Sequence, residues 1–342
     1  MAAVVSSTGT LSFFELAPPP SSSPSEEEKQ DRTAALREIA THRPLGGDSG
    51  ILFLSCAWHP SVPGLLAVTT SAYEVHVLRV DEGWGVATAM DGPAITHALE
   101  AWTVAFAPSL TSYPDENDPN PSKSPQPLVI YSGGDDSKLL RASCVYDPSQ
   151  LAAGGEALEA SSPAVNFKGH EAGVTAILPL DLALADGSSI VVTGSYDDHL
   201  RVYRSYSSAG GVMTQRPSIV AEENLGGGVW RLKLILLEPS LSGSETSPAG
   251  TSSGGKRGGW RTLILASCMH AGCRVVEVRG EAGNTGDVTV TVAVLARFEE
   301  HRSMNYGSDF QPGSEAGRGP LRCVSTSFYD RLLCFWHYGA AE

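Results

Sequence analysis

Apolar residues in this chain come in short runs, each broken by a small or charged turn before a second run begins. Six segments share that shape: AAVVSSTGTLSFFEL, LLAVTTSAYEVHVLRV, LVIYSGGDDSKLLRASCV, IVVTGSYDDHLRVY, LILASCMHAGCRVVEV and CVSTSFYDRLLCFW. Aligned on their turns, they place Thr8, Ala72, Asp136, Asp197, His270 and Asp330 in one column, at spacings of 64, 64, 61, 73 and 60 residues. Runs this short, rich in β-branched residues and bounded by Gly, Ser and Asp, predict strands. Each segment is expected to be a two-stranded hairpin.

The hairpins have companions. A further apolar run precedes most of them (FLSCAWH, WTVAFAP, GVTAILPL, VWRLKLILL, NYGSDFQ), and another lies between units (PAVNFKG, SIVAEENL, VTVTVAVLARF). Four short strands per unit at a regular spacing predict the blades of a β-propeller. TAALREIAT is the one helix candidate, and it reads equally well as a strand. The expected fold is all-β: a single propeller domain over residues 1–342, built of four-stranded antiparallel blades a, b, c and d. The first unit shows only its b and c strands, and the last stops at strand c. About six units of an expected seven are therefore present, with the ring open at the N-terminus.

One unit comes nearest the WD-repeat pattern. Gly169-His170 precedes its first strand, and Thr193-Gly194-Ser195-Tyr196-Asp197 leads into Leu200-Arg201-Val202-Tyr203. A loop histidine, a turn aspartate and an aromatic on strand c can tie a blade together by hydrogen bonds.

Four segments break the pattern: residues 17–36, 112–127, 239–259 and 311–320. Pro, Ser, Gly and charge dominate them, leaving too little apolar surface to offset the entropy of ordering. Three fall between strands a and b and one follows a strand c, so all four are expected at one rim. The opposite rim, made by d–a loops and b–c turns, stays clear and is the place to look for function.

Composition narrows the classes. With 24 Lys and Arg against 38 Asp and Glu, the formal charge is −14. A protein that grips nucleic acid needs a basic face, so no nucleic-acid partner is expected. No apolar stretch approaches the roughly 20 residues of a membrane helix, and no secretory signal opens the chain. The six cysteines sit in apolar runs without a CxxC pair, which indicates reduced thiols, no metal site and a cytoplasmic location. GxSxG, HExxH, P-loop and dinucleotide motifs are absent, no cofactor is called for, and a monomer is expected.

On the clear rim, Asp136, Asp197, Asp330 and His170 have a structural explanation in blade hydrogen bonding. His270 stands where that scheme calls for an aspartate. The stretch from His301 to Asp309 holds a histidine, a hydroxyl, a phenol (Tyr306) and a carboxylate within nine residues, groups suited to general acid–base work. Gly227 and Gly228 could bring backbone N–H groups to a developing oxyanion, or only make a tight turn.

Gly227-Gly228-Val229-Trp230-Arg231, Cys268-Met269-His270-Ala271-Gly272, Tyr306-Gly307-Ser308-Asp309 and Ser327-Phe328-Tyr329-Asp330 occur in the order seen in one family. From about residue 97 onward the chain resembles the WD-repeat diphthine methyl ester hydrolases of diphthamide biosynthesis. That resemblance implies a protein substrate, translation elongation factor 2 carrying methylated diphthine, and hydrolysis of its methyl ester. His270 and His301 become acid/base candidates, Asp309 an orienter, and Gly227 and Gly228 oxyanion donors. Trp230, Tyr306 and Tyr329 would face the quaternary ammonium of the modified side chain. The rival expectation is a non-catalytic scaffold that binds a protein partner. Methyl transfer is disfavoured, because no Gly-rich cofactor loop follows a strand and opens a helix.

Overall fold

The computed structural model describes residues 1–17, 35–46, 50–108, 124–184, 186–207, 213–239, 259–282, 288–313 and 320–339. Its strands form six antiparallel blades arranged as a β-propeller. The first comprises β1 (Ala2–Val5), β2 (Leu11–Ala17) and β3 (Ala35–His42). The second comprises β4 (Phe53–Trp58), β5 (Leu65–Thr70), β6 (Glu74–Val80) and β7 (Val86–Thr88), with β8 (Ile95–Thr96) also pairing with β6. The third holds β9 (Ala101–Phe106), β10 (Gln126–Gly134), β11 (Leu139–Tyr146) and β12 (Leu158–Phe167). The fourth holds β13 (Val174–Ala183), β14 (Ser188–Ser195), β15 (His199–Tyr206) and β16 (Ser218–Asn224). The fifth holds β17 (Arg231–Glu238), β18 (Gly259–Ser267), β19 (Cys273–Ala282) and β20 (Val288–Phe298). The last has β21 (Asn305–Phe310), β22 (Leu321–Ser327) and β23 (Leu333–Tyr338).

The six units of the repeat pattern are these six blades. The ambiguous segment after residue 32 is β3, so the first blade has a d strand that the repeat reading left out. A short helix, α1 (Pro148–Ala153), also escaped that reading. Asp147 caps it by accepting from the N–H groups of Ser149 and Gln150, and Gly154 ends it at φ 81°. Most of each insertion called over 17–36, 112–127, 239–259 and 311–320 lies outside the described residues.

Successive side chains on a strand point to opposite faces, and here both faces are covered. In β5, Leu65 and Ala67 pack toward the third blade while Leu66 and Val68 pack toward the first. The core is thus a series of blade-to-blade layers, which is why the central strands read as unbroken apolar runs. On the last blade Trp336 is buried on one face, while on the other Phe335 is 78% and Leu333 60% exposed. The innermost strands β4, β9, β13, β17 and β21 stand side by side around the axis.

The aligned column falls in the b–c turn of every blade. In five of them the residue after the column has positive φ: Gly9, Tyr73, Ser137, Asp198 and Arg331. The turn carrying His270 differs, placing positive φ at Met269 and Gly272 instead.

Candidate active site at the channel mouth

Three blades use the same fastening. In the third, His97 Nε2 meets Ser132 Oγ at 3.0 Å and its Nδ1 meets Asp136 Oδ1 at 3.0 Å, while Asp136 Oδ2 accepts from the Ala98 N–H. In the fourth, His170 Nε2 meets Thr193 Oγ1 at 3.1 Å and Asp197 accepts from the Glu171 N–H. In the last, His301 Nε2 meets Ser325 Oγ at 2.8 Å, Trp336 Nε1 donates to that hydroxyl, and Asp330 accepts from the Arg302 N–H. Each relay ties a d–a loop to strand b and to the b–c turn. Burial pushes the His170 imidazole down to about 4 and lowers His97 and His301 as well.

The fifth blade has neither part. Gly226, Gly227 and Gly228 replace the loop histidine, and His270 replaces the turn aspartate. Arg274 takes over the fastening: Nε donates to the Leu225 carbonyl at 3.2 Å, Nη1 to the Ala271 and Cys273 carbonyls, and Nη2 pairs with Glu299 at 2.8 Å. His270 is thereby released from structural duty and is exposed. It lines a shallow cavity of about 380 Å³ with His301, Arg302, Ser303, Met304 and Tyr329. The structure therefore brings His270, His301 and Tyr329 to one place. Ser303 orders its floor by accepting from the Tyr329 N–H at 3.0 Å.

Gly227 and Gly228 lie against the turn that carries His270. A Cβ on Gly227 would stand 2.4 Å from the Cys268 carbonyl oxygen, and one on Gly228 2.7 Å from Met269 Sδ. Close approach of the two loops requires glycine at Gly227, where the obstacle is backbone, while at Gly228 it is a side chain that can move. Asp309 is not brought to the histidines. It lies four residues beyond Asn305 along β21, about 13 Å at the rise of a strand. There it pairs with Lys233 Nζ at 2.6 Å and lines a separate cavity with Phe335 and Trp336. The orienter expected at Asp309 is thus out of position: alternation and rise along β21 carry its carboxylate outward from the His301 loop.

Rings connect this cavity to the axis. Trp102 meets Trp230 at 5.9 Å between centroids, Tyr196 meets Trp230 at 5.7 Å, and Trp230 meets Tyr306 at 5.3 Å. Tyr306 then touches Phe328, and Phe328 touches Tyr329. Trp102 belongs to the third blade and Trp230 to the fifth, so their contact spans the channel over the fourth. The geometry comes from register. In β9, β13 and β21 a bulge at the channel end leaves Trp102, Thr175 and Tyr306 out of the ladder, which re-aims their side chains. Trp102 and Tyr196 are absent from the sequence-based site. Aligning the innermost strands rather than the turns would have set Trp102 beside Trp230 and Tyr306.

Among the described residues, no cluster of three or more His, Cys, Asp or Glu is placed to hold a metal ion. All six cysteines are free thiols. No described helix is long and apolar enough to cross a membrane.

Fold and site together define a β-propeller whose axial channel opens onto an aromatic row and a histidine-lined cavity. No known family model matches the chain. Curated proteins similar to it are a diphthine methyltransferase of Schizosaccharomyces pombe, 27% identical over 84% of this chain and 65% of that protein, and a diphthine methyltransferase homolog of Dictyostelium discoideum, 24% identical over 87% and 66%. A diphthine methyltransferase of Mus musculus is 26% identical over 83% of this chain and 46% of its own length. The chain spans about two thirds of the first two relatives and under half of the third.

Proposed function

We propose that this chain acts in diphthamide biosynthesis as a diphthine methylesterase, hydrolysing the methyl ester of methylated diphthine on translation elongation factor 2. The observation that carries this reading is the exchange in the fifth blade: Arg274 performs the blade fastening, and His270 faces an open cavity beside a row of aromatic rings. An exposed imidazole can take a proton from water as that water attacks the ester carbonyl. The new C–O bond gives a tetrahedral oxyanion, which collapses by breaking the bond to the methoxy oxygen. The imidazolium returns its proton to the departing methoxide, giving methanol, and the carboxylic acid left behind releases its own proton to solvent to become a carboxylate. The glycine loop at Gly227 and Gly228 supplies candidate N–H donors for the oxyanion. Trp230, Tyr306 and Tyr329 supply ring faces for a quaternary ammonium. His301, held by Ser325, serves in this scheme as a wall of the cavity.

The relatives' names support a place in this modification sequence and describe methyl transfer. The test is incubation with elongation factor bearing methylated diphthine, read by mass spectrometry of the modified peptide. Loss of one methyl as methanol supports hydrolysis. Gain of methyl on the unmethylated peptide, in the presence of a sulfonium methyl donor, would replace it with transfer. A non-catalytic scaffold is the second reading, favoured by the exposed Phe328, Tyr329 and Phe335 on the last blade. Stable binding of the factor without change of mass would establish it.

A further inference from the structure

Arg231 is a cation placed among rings at the end of the axis. It stands at the channel end of β17, part-buried, with its guanidinium carbon 5.1 Å from the centroid of the Trp230 ring. Its Nη1 donates to the Thr175 carbonyl of the fourth blade at 3.3 Å and to the Trp230 carbonyl at 3.1 Å. The bond to Thr175 ties the innermost strand of the fifth blade to that of the fourth. Arg201 and Arg274, which are more deeply buried, each pair with a carboxylate. Among the described residues no carboxylate pairs with Arg231, and its Nε and Nη2 donate to none of them. Removing a guanidinium from water without a counter-ion is costly. The cost has an evident use, because a planar donor fork with no carboxylate of its own matches one on a ligand.

The surroundings add a second specificity. Trp102, Tyr196 and Tyr306 flank Trp230 within 6 Å, centroid to centroid. Trp102 Nε1 donates to Asp135 Oδ1 at 3.0 Å, which fixes the indole and sets one carboxylate at the edge of the ring group. Aromatic faces with a nearby carboxylate attract a quaternary ammonium. An anion-seeking fork and a cation-seeking ring group in contact select a ligand carrying both charges on neighbouring atoms.

We propose that the channel mouth binds an α-trimethylammonio carboxylate, a betaine, with its carboxylate on Arg231 and its methyl groups against Trp102, Tyr196 and Trp230. This deepens the esterase reading and rests on it only for the identity of the natural ligand. A diphthine side chain is such a group, and its ester carbonyl would point at the same guanidinium. Arg231 then polarises the carbonyl before hydrolysis and holds the carboxylate after it.

Glycine betaine, choline and acetate, titrated into the whole chain and followed by tryptophan fluorescence, separate the two charges. Betaine is expected to bind at least ten-fold more tightly than either choline or acetate. Arg231→Gln should erase the preference for betaine over choline while choline still binds, which shows that the ring group remains folded. Trp230→Leu should weaken both. Equal affinity for betaine and choline in the natural chain, or an unchanged preference in Arg231→Gln, would overturn the proposal. Ester turnover without betaine binding would remove this site and leave the esterase reading intact. Betaine binding without turnover would do the reverse.

Discussion

Arg274 holds the Leu225 carbonyl at 3.2 Å across 49 residues of chain, and by doing so replaces a histidine–aspartate pair with one side chain. The loop before β17 and the turn before β19 are still tied together, but the titratable residue of that turn now faces solvent. His270 and Arg274 are therefore two halves of one exchange, and they should respond differently to substitution.

His270→Ala should leave stability within about 0.5 kcal/mol, as befits an exposed side chain. Ester turnover should drop by about two to four orders of magnitude, the usual worth of a general base. His301→Ala should behave oppositely, lowering the unfolding free energy by about 1–3 kcal/mol through loss of the buried ring and of one of the two partners of the Ser325 hydroxyl. Paired measurement of turnover and denaturant midpoint distinguishes them; equal losses of turnover at matched stability would refute the division of roles.

Arg274→Ala strips donors from three carbonyls and a partner from Glu299. A loss of about 2 kcal/mol or more is expected from the charge-assisted bonds. Hydrogen exchange should show the extra opening concentrated at Leu225 to Val229 and Cys268 to Cys273. Uniform loosening of the whole chain would mean that Arg274 has no local fastening role.

Gly227→Ala should be worse than Gly228→Ala. The first places a methyl 2.4 Å from the backbone oxygen of Cys268, which cannot move without the turn. The second meets the Met269 thioether at 2.7 Å, the end of a flexible side chain. Thermal denaturation of the two variants orders them; the reverse order would show that the loops are not packed as described.

Acid should destabilise the fold from near neutrality. His59 and His170 are held at about 4 by burial, and His97 and His301 are lowered too, against 6.5 for a free imidazole. Below 6.5 the unfolded chain takes up protons that the fold refuses, so stability falls as pH falls. His170 alone accounts for about 2 kcal/mol between pH 7.5 and 5. Asp136 and Asp197 have lowered pKa values because N–H and side-chain donors hold their carboxylates charged, and their contribution fades only below 3.8. Urea midpoints should be flat between pH 7 and 8 and decline from 6.5 downward. A flat profile to pH 5 would contradict buried neutral histidines.

The repeat was legible along the chain: the column from Thr8 to Asp330 falls in a b–c turn of every blade, and His270 marks the one turn of different shape. Period-two alternation and turn chemistry are local, so strands and turns can be read from neighbours along the chain. That His301 binds Ser325 while His270 is free, that Asp309 pairs with Lys233 instead of a histidine, and that Trp102 crosses the axis to Trp230 were decided only by the tertiary structure. Those contacts join distant residues, and bulges in β9, β13 and β21 shift the facing of the side chains that meet there. A one-residue change of register turns a side chain to the other face, and no nearest-neighbour pattern reports where such a change will occur.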